Sequence, residues 1–237
     1  MKEQLGFLAG GLADLGFDPV KAKPLTKYGE LLLEKNQVMN LTAITDPVQV
    51  AALHMLDCAA LAAHLPNGVK TVADVGTGAG FPGLVTAVLR PDLSLFLLDP
   101  LEKRLNFIQE VIDVLGLTNV SLFHVRGEDA GREAGLRERF DVTTARAVAE
   151  LTVLAELCLP LTRVGGWFLP MKSTESGGEL DAAKPLLGQL GGVPAGYWDY
   201  SLPGVDVTHR IWRIEKRAPT PHAFPRKWAK IKKTQHK

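Results

Sequence analysis

Residues 71–83 read TVADVGTGAGFPG. An apolar run closes on Asp74 and Val75, Gly76, Gly78 and Gly80 alternate, and a second apolar run, FPGLVTAVLR, starts at Phe81. A short apolar run that ends in a glycine turn and opens a helix reads as a buried strand feeding a ligand-binding turn. In open α/β sheets, ligands bind beyond the carboxyl ends of the strands, where strand order reverses. Glycine supplies the positive φ values and the close backbone approach that such a turn needs.

The flanking sequence repeats the alternation. LSLFLLD (Leu93–Asp99) is a second strand, and PLEKRLNFIQEVIDVLG (Pro100–Gly116) a helix ending at its glycine. NVSLFHV, FDVTTARAV and GGWFLPMK are further strands, with LTVLAELCLPL a helix between the last two. The pattern predicts an α/β fold, a mostly parallel central sheet with helices on both faces. After a helix around Leu180–Leu190, strands at Tyr197–Leu202 and Thr208–Glu215 are expected to form an antiparallel C-terminal pair at the sheet edge. Upstream, residues 1–64 read as a helical extension, with a polar turn around Asn40 and Thr42. Its last helix starts at Pro47 with Asp46 as cap. The expected division is 1–64, an α/β domain at 65–217, and a tail at 218–237 that stays mobile until a partner holds it.

The second strand ends in Asp99, placed to accept hydrogen bonds from both hydroxyls of a ribose. An adenosine-containing cofactor follows. NAD fits poorly, because its GxGxxG fingerprint is replaced by GxGxG with Phe81 at the final glycine. Asp74 would also add negative charge beside a pyrophosphate, whereas it suits a ligand with cationic groups. S-adenosylmethionine carries an ammonium and a sulfonium and no phosphate. The acid–x–G–x–G–x–G spacing with a later acid resembles the cofactor motifs of Rossmann-like class I methyltransferases.

Composition sets limits. The chain has 237 residues, 46% hydrophobic and 22% charged, with no apolar run long enough to span a bilayer, and the expectation is a soluble cytoplasmic protein. Cys58 and Cys158 sit in apolar helical patterns and predict buried free thiols, and no Cys/His cluster suggests a metal. Net charge is +1, yet from Thr208 onward ten Lys/Arg face one acid, Glu215, while residues 1–207 hold 17 basic against 25 acidic residues. An acidic body with a basic end suggests a polyanionic partner held by that end.

A narrower likeness emerges from motifs in order: MNLTAIT, HMLD, DVGTGAGFPG, LLDPLEKRLNFI, RGED, FDVTTARAVA, GGWFLPMK and PHAFPRK. The series resembles the bacterial small-subunit ribosomal RNA guanine-N7 methyltransferases, the glucose-inhibited-division-protein-B family, from about Leu31 to Lys230. The resemblance implies a monomer that uses S-adenosyl-L-methionine to methylate a guanine in the decoding-region loop of 16S RNA or of the small ribosomal subunit. By position it puts cofactor contacts on Gly76, Phe81, Gly127, Glu128 and Arg146, joining Asp74, Thr77, Gly78 and Asp99 from the turn and the second strand. Target-base positioning falls to Asn40, Arg146 and Lys172, while Thr42, His54 and Asp57 match its N-terminal motifs. His54 is not expected to be a base. Guanine N7 has a free lone pair at neutral pH, so in-line methyl transfer needs alignment rather than proton removal. Arg226, Lys227, Lys230, Lys232 and Lys233 are expected to bind RNA, with Phe224 and Trp228 available for stacking. The chain departs from the family at MKS in place of MKG, at Lys35 in place of tryptophan, and after PRK. On the residues alone, a methyltransferase with another acceptor, a nicotinamide-dependent oxidoreductase and a silent RNA-binding module also remain.

Overall fold

The computed structural model describes residues 2–147, 149–174 and 177–234. Seven strands form one sheet: β1 (Thr71–Val75), β2 (Ser94–Asp99), β3 (Val120–His124), β4 (Phe140–Arg146), β5 (Thr162–Ser173), β6 (Gly192–Ser201) and β7 (Thr208–Lys216). Their order is β3-β2-β1-β4-β5-β7-β6. The first five strands pair in parallel, and β7 runs antiparallel to both β5 and β6. The last two strands therefore make the expected hairpin with a difference: β7 lies inside the sheet, and of the pair only β6 is at an edge, with β3 at the opposite one. β6 also starts five residues earlier than the sequence suggests. Pro194 and Gly196 obscure its onset, and a register irregularity between Pro194 and Tyr197 accommodates them.

Alternation along the strands supplies two cores. Val72, Leu95, Leu97, Val142 and Ile211 point to one side, and Ala73, Val75, Leu98, Phe168 and Ile214 to the other. The first side packs α5 (Gly83–Leu89) and α6 (Glu102–Leu115) together with the N-terminal helices α1 (Lys2–Asp14) and α2 (Ala22–Asn36). Leu8, Leu12, Leu25, Tyr28 and Leu32 belong to that same cluster, so the extension shares one core with the sheet. The second side packs α7 (Gly127–Ala130), α8 (Leu151–Cys158) and α9 (Gly177–Gln189). Both cysteines are free and buried. Among the described residues, no helix is long and apolar enough to cross a membrane.

Two features depart from the expected outline. The helix from Pro47, capped by Asp46 Oδ1 on the Gln49 N–H at 2.8 Å, changes character midway. α3 (Pro47–Val50) widens into a π segment (Ala51–Leu56) before α4 (Asp57–Ala63), and π segments recur at functional sites. The tail is also docked rather than loose. Arg137 donates to the carbonyls of Thr220 and Phe224, Arg132 to that of Pro225, and Ile231 of α10 (Trp228–Ile231) is fully buried in the second core. Charge counting registers the lysines of this segment and is blind to the backbone carbonyls that pin it.

Candidate cofactor cleft and target cavity

The turn after β1 is fastened from several sides. The N–H groups of Gly76 and Thr77 both donate to Leu98 O, at 2.8 and 3.1 Å, tying the turn to β2. Beneath it, Asp74 is fully buried, and its Oδ2 accepts the Thr77 hydroxyl (2.6 Å) and the Gly83 N–H (2.8 Å). Asp74 Oδ1 is buried without a hydrogen-bond partner. Burial, opposed by those two hydrogen bonds, pushes this carboxyl up to about 6. The acid thus acts on the turn from below, as a nearby charge. At Gly80, φ is +102° and an added Cβ would meet Leu84 and the Tyr28 hydroxyl at 2.7 Å, so only glycine fits. Gly78 also has positive φ, but there a Cβ would meet only Gly76 O, at 4.0 Å, which leaves the turn's outer surface open.

Asp99, also fully buried, ends β2 beside this surface. Its Oδ2 accepts the Gly78 N–H at 3.0 Å and its Oδ1 the Leu101 N–H at 2.9 Å, while Arg104 lies 3.4 Å away. Gly127 starts α7, where an added Cβ would press on Val75 at 3.0 Å and on Leu157. Glu128, next along, is only 7% exposed and has no protein partner among the described residues. A nearly buried carboxylate without a donor is a strong acceptor waiting for a ligand's N–H. With the open surface over Gly78, this fits an adenosine group. Three acids around one turn do not fit a pyrophosphate.

Phe81, the residue that breaks the dinucleotide fingerprint, joins the turn to the N-terminal helices. Tyr28 and His54 both stack near-parallel to its ring, at 5.1 and 4.8 Å between centroids. Tyr28 also donates its hydroxyl to Ala79 O. Arg146, at the end of β4, lies over the same ring at 5.1 Å. Its guanidinium donates to Leu53 O (2.9 Å), Asp57 Oδ2 (2.8 Å) and His54 Nδ1 (3.1 Å). Since a guanidinium only donates, His54 Nδ1 accepts, and the ring hydrogen sits on Nε2, which donates to Thr42 Oγ1 at 2.8 Å. Burial first, then the charge of Arg146, pushes His54 down to about 4, so the ring is neutral. Asn36 shapes the Thr42 loop, accepting the Leu41 and Thr42 N–H groups and donating to Thr42 O.

Beyond Arg146 opens a cavity of about 410 Å³ lined in part by His54, Asp57, Arg146, Lys172, Glu179 and His209. Asp57 is its hub. Besides Arg146, it receives the Tyr200 hydroxyl and His209 Nδ1 on Oδ1, both at 2.6 Å. Burial alone would raise this carboxyl; the His209 hydrogen bond and the Arg146 charge overturn that and hold it below the usual range. Lys172 pairs with Glu179 at 2.8 Å and donates to Ala149 O. Ala147, in the wall beside Arg146, has a φ of 55°, a strained value for a residue with a side chain.

The fold thus brings Asp74, Gly76, Thr77, Gly78, Asp99, Gly127 and Glu128 to one edge, with Phe81 and Arg146 at the join and Lys172 in the cavity wall. Asn40 is exposed on its loop, makes no hydrogen bond among the described residues and does not line the cavity. Tyr200, His209 and Glu179 escaped the sequence reading. The hairpin and the first turn of α9 deliver them from far along the chain, and no local pattern marks them.

The cations of the C-terminal region divide sharply. Arg226 is bonded through its backbone N–H and guanidinium to Glu156, a fully buried acid on α8. Lys216 is fully buried, bonded to Leu159 O and 3.1 Å from Glu138. Arg210 pairs with Asp199 and Arg217 with Glu215. Arg213 lies between Trp167 and Trp198. Lys227, Lys230, Lys232 and Lys233 are exposed. Phe224 packs against the second core, and Trp228 is 38% exposed.

An antiparallel β7 between β5 and β6 departs from the all-parallel dinucleotide-binding order, and an acid-ringed glycine turn suits a cationic donor. Fold and site together define a Rossmann-like class I methyltransferase that uses S-adenosyl-L-methionine. The M. jannaschii TYW2 crystallised in complex with AdoMet shares this fold (TM-score 0.51, 13% identity, 66% of this chain and 73% of that one). So does a ribosomal protein L11 methylase from Lactobacillus delbrueckii subsp. bulgaricus (TM-score 0.50, 14%, 70% and 79%). A family model described as GidB, rRNA small subunit methyltransferase G, matches residues 21–194. Ribosomal RNA small subunit methyltransferase G of Clostridium perfringens (strain 13 / Type A) is 43% identical over 218 residues, 92% of this chain and 91% of that protein. The same-named protein of Symbiobacterium thermophilum is 44% identical over 230 residues, 94% of each chain. The chain belongs to this family, and it is an S-adenosylmethionine-dependent ribosomal RNA methyltransferase.

Proposed function

We propose that this chain methylates N7 of a guanine in 16S ribosomal RNA, in the cytoplasm and as a monomer, with the target base seated in the cavity beyond Arg146. S-adenosylmethionine, when bound, supplies a methyl group on a sulfonium. The residues around the turn would hold it. The backbone of Gly76, Thr77 and Gly78 forms the floor, with the charge of Asp74 below. Asp99 is suited to the ribose hydroxyls, and Gly127 with Glu128 to the adenine edge. Phe81 and Arg146 close the site toward the cavity.

One observation carries the N7 reading. Against the Phe81 ring at the join, Arg146 and neutral His54 have no lone pair to give, Tyr28 donates its hydroxyl to Ala79 O, and the carboxylate behind them, Asp57, has both oxygens occupied. A site without a proton acceptor there suits an acceptor atom that already has its lone pair exposed. The protein's contribution is then alignment: Asp57 fixes Arg146, Tyr200 and His209 at once, so the cavity walls are set before RNA arrives. Preorganisation of this kind supplies up to ~7–11 kcal/mol of a barrier. N7 lies on an edge that proteins reach when a base is splayed from a loop.

The test is direct. With radiolabelled cofactor, unmethylated small subunits or their 16S RNA should take label, and nuclease digestion should recover it as 7-methylguanosine. Label confined to DNA, protein, small molecules or another base atom overturns the reading.

A further inference from the structure

The polar groups of the cavity are unevenly committed. Arg146 and Lys172, the cations in its wall, are both paired. Glu179, in the first turn of α9, is held by one oxygen only. Its Oε2 accepts the Leu151 N–H at 2.7 Å and faces Lys172 Nζ at 2.8 Å, while Oε1 has no partner among the described residues. The side chain is 28% exposed, into the cavity it lines. Asp57 has both oxygens occupied, and His54 both ring nitrogens. The wall therefore offers an anionic acceptor held rigidly from behind, with no unpaired cation among the described residues to answer it.

A guanine with N7 turned to the join places its opposite edge in the cavity. That edge carries N1–H and the exocyclic N2 amino group, both donors. Adenine presents a lone pair and a C–H there, and a carboxylate repels the lone pair. We propose that Glu179 is the residue that selects guanine, its Oε1 accepting hydrogen bonds from the N1–H and N2 edge of the target base. This rests on the N7 reading above. Lys172 and the Leu151 amide act as the brace that fixes the carboxylate's direction, which gives the predicted Lys172 a positioning part.

Inosine separates the two claims, because it keeps N7, O6 and N1–H and lacks only the N2 amino group. The substrate is 16S RNA carrying guanosine or inosine at the position where wild-type label maps. Wild type should lose about tenfold or more in kcat/KM on the inosine RNA, as expected when a charged acceptor loses its partner. The variants Glu179→Gln and Glu179→Ala should lose a similar factor on guanosine RNA. On inosine RNA their loss relative to wild type should be clearly smaller than on guanosine RNA, the remainder being the N1–H contact that inosine keeps. Their affinity for S-adenosylhomocysteine should match wild type, and their melting temperatures should fall only by the lost Leu151 and Lys172 contacts, less in Glu179→Gln than in Glu179→Ala. Penalties that simply multiply, or an equal loss on both RNAs with weakened cofactor binding, assign Glu179 a structural role and overturn the proposal. Wild type placing no label on guanine N7 overturns the parent reading instead.

Discussion

His54 and Asp74 lie on either side of the Phe81 turn and answer acid in opposite ways. Asp74 is raised from 3.8 to about 6 by burial, so between those values the folded state holds a proton that the unfolded chain has lost. Stability from this group is full below pH 4 and falls as pH rises through 6. His54 is lowered from 6.5 to about 4 by burial and by Arg146. Its contribution is full above 6.5 and is lost as pH falls through 4. Each shift corresponds to roughly 3 kcal/mol, and over pH 4.5–6.5 the two slopes nearly cancel. His54→Gln should therefore gain stability relative to wild type on acidification from pH 6.5 to 4.5, and Asp74→Asn should lose it. Urea midpoints at the two pH values read both signs; parallel profiles for all three proteins would show that neither group titrates as its burial dictates.

At the scale of elements, the parallel half was readable because its physics is local. Apolar runs such as Val72–Val75 and Leu95–Leu98, the Asp46 cap and the helix ended by Gly116 all carry their signal within a few residues. The π segment, the early start of β6 and the docked tail carry none, since they depend on partners far along the chain. Arg226 is the clearest case. By charge it reads as an RNA contact, and by geometry it latches residues 218–231 to α8 through Glu156. Glu156 is fully buried and Arg226 is 30% exposed on its side chain, so the pair is worth less than a wholly buried one. Arg226→Ala leaves a buried carboxylate without its cation and should weaken tail docking by about 2–3 kcal/mol. Limited trypsin digestion should then cut at Lys227 and Lys230 far faster than in wild type, with S-adenosylhomocysteine binding retained. An unchanged cleavage rate would show that Arg137, Arg132 and Ile231 hold the tail unaided. The cavity beyond Arg146 was legible only in part for the same reason: HMLD and ARAVA mark His54, Asp57 and Arg146, while Tyr200, His209 and Glu179 belong to elements whose placement only the folded sheet decides.

For the whole molecule, packing sorts an ambiguous basic tail into two populations. Arg210, Lys216, Arg217 and Arg226 answer acids of the protein itself, and Arg213 lies between two tryptophans, so none of the five is an uncommitted RNA cation. Lys237 lies outside the described residues. Four exposed lysines remain, Lys227, Lys230, Lys232 and Lys233, carried on a short segment clamped against α8. The body they are fixed to holds 17 basic against 25 acidic residues over positions 1–207. A negative body with one positive projection approaches a polyanion in one orientation, and a docked tail keeps that orientation fixed relative to the cavity. Each lysine that neutralises a phosphate adds about 0.7–0.9 to the slope of log affinity against log salt. Replacing all four by alanine should flatten the slope by about 3 between roughly 50 and 200 mM salt. It should leave the calorimetric affinity for S-adenosylhomocysteine unchanged, because none of the four touches the turn. Adding Arg226→Ala should remove little further slope, since that cation is already neutralised by Glu156. A quadruple variant with the wild-type slope would place the RNA contact elsewhere on the surface, and a large extra loss from Arg226 would put its guanidinium on phosphate rather than on α8.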